Sequence, residues 1–254
     1  MDRVHARRFG SGNTAKLVTD STRTRDNAAP TVAGVRVLDL VLPERCAVCD
    51  VPGGALCASC RAALTRLVPP VCERCGSPGP WPVRRCAECA GRRLAFVDVR
   101  SAIVYDGRAR ALVRAWKERG RRRLAHEAAL LVADTMPAPA VQCLVPVPGD
   151  PERAWRRGDV PARSLAAELS LVWSVPVHDV LARSRTLPRQ RGLSLDARRK
   201  NVRGSVEARS SMPPDVCVVD DVYTSGATVD ACARACRRAG ARRIHVVTLA
   251  RAVR

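Results

Sequence analysis

Val216-Cys217-Val218-Val219-Asp220-Asp221-Val222-Tyr223-Thr224-Ser225-Gly226-Ala227-Thr228 is the stretch on which the reading of this chain turns. Four apolar residues read as a buried strand, and two adjacent acids close it. Thr-Ser-Gly-Ala-Thr follows, and Val229 to Ala239 reads as a helix, with Val229, Cys232, Cys236 and Ala239 on one side. Small hydroxylated residues around a glycine let backbone N–H groups converge at the positive end of a helix. That arrangement predicts a phosphate cradle. It is not a Walker A loop, because no G-x-x-x-x-G-K-[ST] occurs in the chain. Two carboxylates just before the cradle need a cation or hydroxyls to satisfy them, and ribose hydroxyls or magnesium would do so. The plainer alternative is a turn with two helix-capping acids.

The neighbouring segments set this motif in an α/β sheet. Val97 to Tyr105 is strand-like, and a helical region runs from Arg108 to Thr135 with a break near Gly120. Cys143 to Val147 is a short apolar strand. Pro161 to Trp173 is a helix whose Pro161 suits the first turn, with Leu165, Ala166, Leu169, Val172 and Trp173 on one face. Gly240 is a natural helix stop, and Ile244 to Leu249 is the next strand. Alternating strands and helices predict a parallel sheet with right-handed crossovers.

Upstream lies a different chemistry. Eight of the twelve cysteines form four C-x2-C pairs: Cys46/Cys49, Cys57/Cys60, Cys72/Cys75 and Cys86/Cys89. Each pair sets two thiolates on one side of a tight turn, and two pairs close a tetrahedral all-cysteine zinc site. Two structural zinc ions are therefore expected. Consecutive pairing closes the shortest loops, although spacing leaves open which pairs share a metal. Pro52-Gly53-Gly54 and Gly76 to Pro80 are turn segments, and few apolar residues lie between the cysteines, so metal must stand in for a core. Cys143, Cys217, Cys232 and Cys236 sit singly in apolar contexts and read as small core residues.

The chain has 254 residues, 46% hydrophobic but only 3% aromatic, so Val, Leu and Ala must fill its core. No stretch approaches the ~20 apolar residues of a membrane helix, and residues 1–30 lack the apolar core of a signal peptide. A cytoplasmic protein is expected. Residues 1–33 lack periodicity and read as a disordered tail or as translation from an early start codon. The formal charge is +20. Residues 107–123 and 183–203 each carry eight basic groups and one acid. Charge concentrated in this way points to an anionic partner, a phosphorylated small molecule or a nucleic acid.

The motif of residues 216–228 resembles the phosphoribosyl pyrophosphate (PRPP) loop of type I phosphoribosyltransferases, with Ser225 keeping the hydroxyl of a usual threonine. The resemblance implies that Asp220 and Asp221 hold the ribose diol and that Thr224, Ser225, Gly226, Ala227 and Thr228 wrap the 5′-phosphate. Three further segments narrow it: Val145-Pro146-Val147-Pro148 leading to Arg153 and Arg156-Arg157-Gly158; Leu181 to Thr186 with Gln190, Arg198 and Asn201 to Gly204; and Tyr105-Asp106-Gly107 to Gly120. With the cysteine module, they are similar to the ComF family of competence-related, amidophosphoribosyltransferase-like proteins, over roughly residues 36–253. Glu118 and Asp159 stand where that family commonly has aromatics.

The implied organisation is a tail at 1–33, a double zinc ribbon at 36–92 and a phosphoribosyltransferase-like domain at 97–254. Pro146 to Gly149, with Pro148, Gly149 and Arg157 as ligands, is similar to the pyrophosphate loop. Arg183 to Gly204 is similar to the catalytic loop that closes over PRPP. Asp220, Asp221, Lys117, Arg183 and Arg185 are the implied catalytic residues. Fixed cations would stabilise the charge growing on departing pyrophosphate, and magnesium would accompany PRPP. The expected activity is transfer of phosphoribosyl to an acceptor. The second reading is an accessory protein for DNA uptake. It would bind PRPP or grip single-stranded DNA, with its ribbons docking a helicase-like partner.

Overall fold

The structure, a computed structural model, describes residues 44–150, 155, 158–183 and 206–253. The expectations for residues 1–33, Arg153, Arg156, Arg185 and the segment from Ser184 to Gly204 lie outside the described residues.

Helix α1 (Ala58–Ala62) belongs to the cysteine module. Then come β1 (Asp98–Val104), α2 (Gly107–Arg119), α3 (Leu124–Thr135), β2 (Cys143–Pro146), α4 (Pro161–Trp173), β3 (Leu181–Arg183), β4 (Val206–Ala208), β5 (Asp215–Tyr223), α5 (Ala227–Arg238) and β6 (Arg243–Arg251). Strands β1, β6, β5 and β2 lie in that order in one sheet, and each neighbouring pair is parallel. The expected architecture is therefore present. β3 and β4 form a separate antiparallel pair. These three-residue strands are too short for a period-2 pattern to declare itself in sequence.

Local chemistry accounts for the element boundaries. Asp106 caps α2 by accepting from the Ala109 amide, and Gly120, at φ 64°, ends it in the left-handed conformation. This is the break expected in the 108–135 helical region, and it separates α2 from α3. α4 has the expected bounds, with Pro161 in its first turn. Its face is narrower than expected. Leu165, Ala166 and Leu169 are buried and Trp173 packs half-buried against the same core, whereas Val172 is exposed.

Burial divides the core between the two sheet faces. Ala102, Cys217, Val219, Val247 and Leu249 pack with α2, α3 and α4, and the first cysteine module joins this layer through Cys46, Leu56, Cys60 and Leu64. Val99, Val145, Val216, Val218, Ile244 and Val246 pack instead with Val229, Cys232 and Cys236 of α5. Apart from the two cysteine modules, the remaining cysteines are buried core residues, as their apolar contexts implied. Both faces of the sheet are covered, as a parallel sheet requires. Its strand ends are left as the natural place for a ligand.

Candidate functional site

A cleft of about 360 Å³ opens at the C-terminal ends of β2 and β5. Its walls include Lys117, Pro148, Gly149, Arg183, Asp220, Asp221, Thr224 and Thr228. Residues from four separate elements thus meet at one place. Arg157 and Arg185 lie outside the described residues.

β5 does not stop at the acids. It continues through Val222 and Tyr223, which pair with Ala250 and Arg251 of β6. Alternation along a strand then sends the two carboxylates to opposite sides. Asp221 is buried and forms an ion pair with Lys117 of α2. Asp220 lies toward α5 and accepts from the Asp221 amide at 2.9 Å. Burial, and then the neighbouring Asp221 charge, hold the Asp220 carboxyl well above the usual carboxylate range. Burial, and then Asp220, likewise push the Cys232 thiol up.

This carries a stability consequence. An acid with a raised folded pKa binds protons more readily folded than unfolded. Stability therefore falls as pH rises from the ordinary aspartate range through the raised value. Asp220→Asn keeps an acceptor for the Asp221 amide and removes the disfavoured charge. It is expected to raise the melting temperature at neutral pH, with less gain below pH ~4 where the unfolded carboxyl is itself protonated. Thermal scans at the two pH values check this.

The turn after β5 is built on Gly226, whose φ of 73° is left-handed. A Cβ there would lie 2.3 Å from Tyr223 Oη and 2.6 Å from its Cζ. Tyr223 is buried beneath the loop and cannot swing away. Gly226 has no side chain to cap α5; the Ala227 amide donates to Ser225 Oγ at 3.4 Å, and the following first-turn amides are placed to meet an anion. Gly226→Ala combines a disfavoured φ with this clash. It is expected to lower stability by about 1–3 kcal/mol and to weaken phosphate binding, as denaturant melts and titrations will show.

On the opposite wall, Gly149 approaches Val160 so closely that a Cβ would lie 2.8 Å from Val160 Cγ2. Arg183 is the last residue of β3, an edge strand rather than part of an open loop, and its Nε donates to the Pro148 carbonyl at 3.2 Å. That bond ties one expected catalytic cation to the expected pyrophosphate loop. Asp159 also lines the cleft and hydrogen-bonds Ser164.

Much of the 107–123 charge has partners within the protein. Arg114 pairs with Glu118, Arg121 and Arg123 with Glu44, and Arg122 donates to the Gly158 carbonyl. Lys117 is the cation of this run that reaches the cleft.

The eight cysteines gather as Cys46, Cys49, Cys57 and Cys60, and as Cys72, Cys75, Cys86 and Cys89, the consecutive pairing. Zinc–thiolate bonds of about 2.3 Å place tetrahedral sulfurs about 3.8 Å apart. Cys49 to Cys57 is 3.7 Å, Cys72 to Cys89 is 3.7 Å, Cys75 to Cys86 is 3.4 Å and Cys86 to Cys89 is 3.9 Å. The sulfurs thus fit structural zinc. The Cys57 amide donates to Cys46 Sγ and the Cys86 amide to Cys72 Sγ, contacts that favour the thiolate form. The Ser59 hydroxyl beside Cys57 brings its thiol down to about 6. Burial alone would raise Cys72, yet the amides of Cys75, Cys86 and Arg74 outweigh it and bring the thiol to about 7. Burial pushes Cys60 up to about 12 and also raises Cys75 and Cys89.

A covered parallel sheet preceded by two tetrahedral thiolate clusters defines a mixed α/β, phosphoribosyltransferase-like fold carrying a double zinc ribbon. Residues 37–90 match the family model for the double zinc ribbon domain. Competence protein F of Haemophilus influenzae is 27% identical over 211 residues, covering 78% of this chain and 90% of that protein. DNA utilization protein YhgH of Salmonella typhi is 28% identical over 230 residues, covering 84% of this chain and 99% of that protein. The Salmonella typhimurium protein of the same name is also 28% identical over 230 residues. These relatives are named for competence and for DNA utilization. Among the described residues, no helix is long and apolar enough to cross a membrane.

Proposed function

We propose that this protein binds PRPP with magnesium and transfers its phosphoribosyl group to an acceptor, within the handling of incoming DNA that its relatives' names denote. The observation that carries the reading is the meeting of Asp220, Asp221, Lys117, Arg183, Thr224 and Thr228 around one cleft, with Ser225, Gly226 and Ala227 in the turn between the two threonines. Each supplies what PRPP would need. The turn and the start of α5 offer amides and hydroxyls to the 5′-phosphate. The acids accept from the two ribose hydroxyls, and Lys117 neutralises Asp221 until they arrive. Arg183 stands beside the Pro148–Gly149 turn, where the pyrophosphate would lie.

In the reaction, the bond between C1 and the pyrophosphate oxygen breaks and its electron pair leaves with pyrophosphate. A nucleophilic nitrogen or oxygen of the acceptor forms the new bond to C1 and gives up its proton. Fixed cations placed where that charge develops lower the barrier. Magnesium would be held by the oxygens of PRPP itself and would add charge neutralisation. Arg157, Arg185 and the segment from Ser184 are part of the proposal through the resemblance alone.

The relatives' names point only to competence and DNA utilization; a second reading within that role is that the protein grips single-stranded DNA and its ribbons dock a helicase-like partner. Calorimetry separates the two. Saturable heat with PRPP and magnesium at one site per chain is the expected result. No heat with PRPP, beside DNA binding that weakens steeply with salt, would reverse the order. Labelled PRPP incubated with the protein and a cell extract would then identify the acceptor.

A further inference from the structure

Arg251, the last residue of β6, is wholly buried. An arginine is buried only where charge and hydrogen bonds offset its lost hydration, and here they come from the second cysteine cluster. Nη1 donates to the Cys75 carbonyl at 2.6 Å and Nη2 to Glu88 at 2.6 Å, with Cys75 Sγ 3.7 Å away. The other side of the guanidinium lies over the Tyr223 ring, 4.6 Å from its centre. Tyr223 in turn presses against Gly226, the left-handed residue at the centre of the phosphate turn. A second strut runs alongside. Arg92, three residues past Cys89, donates Nη2 to the Ser225 carbonyl at 2.7 Å. The phosphate turn therefore rests, at two points, on side chains anchored in or next to the second cluster. The first cluster packs elsewhere: its Arg61 pairs with Glu127 and Asp134 of α3.

We propose that the second cysteine cluster sets the geometry of the phosphate turn, with Arg251 and Arg92 as positioning residues, so that zinc at this cluster and phosphate in the turn favour each other. Four thiolates around one zinc ion carry a net charge of about −2, which holds the Arg251 cation in place. On loss of the metal the thiolates take up protons and that charge is gone, while Glu88 and the Cys75 carbonyl, no longer fixed by the cluster, hold Arg251 less firmly against Tyr223 and, through it, Gly226. The ligand half of this inference rests on the PRPP reading above; the positioning half does not.

Two measurements on the full chain test the halves separately. Hydrogen exchange of the amides from Thr224 to Val229 is compared in zinc-loaded and EDTA-treated protein. Faster exchange once the second zinc has left is expected, and unchanged exchange overturns the proposal. Zinc release to EDTA is then followed with and without PRPP and magnesium. Coupling is reciprocal, so PRPP is expected to slow release of one of the two zinc equivalents and leave the other unchanged. Arg92→Gln, at a half-buried site that spares the core, is expected to keep two zinc ions, bind PRPP about tenfold more weakly and lose that protection. Arg251→Gln should do the same more strongly. PRPP that binds the wild type and Arg92→Gln equally, with no effect on zinc release, overturns the proposal. If the wild type fails to bind PRPP while turn exchange still tracks zinc, the PRPP reading falls and the positioning role stands.

Discussion

Asp221→Asn is expected to abolish measurable PRPP binding while leaving two zinc ions per chain. The carboxylate is nearly buried and already neutralises Lys117. The amide keeps its size but has no charge and turns an N–H2 donor into the site, so the charge-assisted bonds to the lysine and to the ribose are both lost. Hydrogen bonds to a charged group contribute about 1.5–3 kcal/mol each, so losing two reduces affinity by roughly a hundredfold or more. Titration calorimetry with PRPP and magnesium reads this directly, and metal analysis of the same sample shows whether the ribbons are intact. Undiminished affinity would mean that the acid pair only supports the strand end.

Metal removal is the second large effect. The second cluster has almost no apolar interior of its own: Cys72, Cys75 and Cys89 are its buried residues, with Val83, Cys86 and Leu94 packed alongside. Structural zinc supplies about 10–16 kcal/mol of apparent binding free energy in small ribbons, so metal takes the place of a core there. Cys60→Ser and Cys75→Ser are each expected to lower zinc from two to one per chain and to depress the melting temperature sharply. The pH dependence has a definite sign. Zinc binds thiolates and displaces protons, so its affinity rises with pH. With Cys57 and Cys72 at about 6 and 7, these two thiols keep their charge longest on acidification. Zinc should therefore be held more weakly as pH falls, and a zinc-indicator titration from neutral to acid pH would follow the release.

Much of the sheet was legible because its strands are largely apolar and buried on both faces: Val216 to Val219 is an unbroken apolar run, and Ile244 to Leu249 is interrupted only by His245 and Thr248. α4 was legible to the residue, since Pro161 marks its start and the 3.6-residue period carries through to Leu169. β3 and β4 were not, because three residues show no period. The run of β5 through Val222 and Tyr223 was also missed. Pairing with Ala250 and Arg251 extends that strand, and strand pairing across the sheet leaves no mark in the local sequence.

The candidate site divides in the same way. The cradle at Thr224 to Thr228 and the four cysteine pairs are local patterns, in which turn chemistry and ligand spacing are set by neighbours in the chain. Such patterns announce themselves before any folding is considered. The partner of Asp221 is different: Lys117 comes from α2, more than a hundred residues earlier, and although the resemblance named it, nothing in the sequence paired it with Asp221. Arg251 carried no signal at all, because an arginine at the end of a strand looks like a solvated one. Its burial against Cys75 and Tyr223 follows from the docking of the second ribbon on the sheet. Spacing along the chain was enough to predict the two thiolate clusters and to single out the turn after β5. Which charges neutralise one another, and which cluster lies against the Thr224 to Thr228 turn, depends on contacts between distant segments, which packing alone brings about.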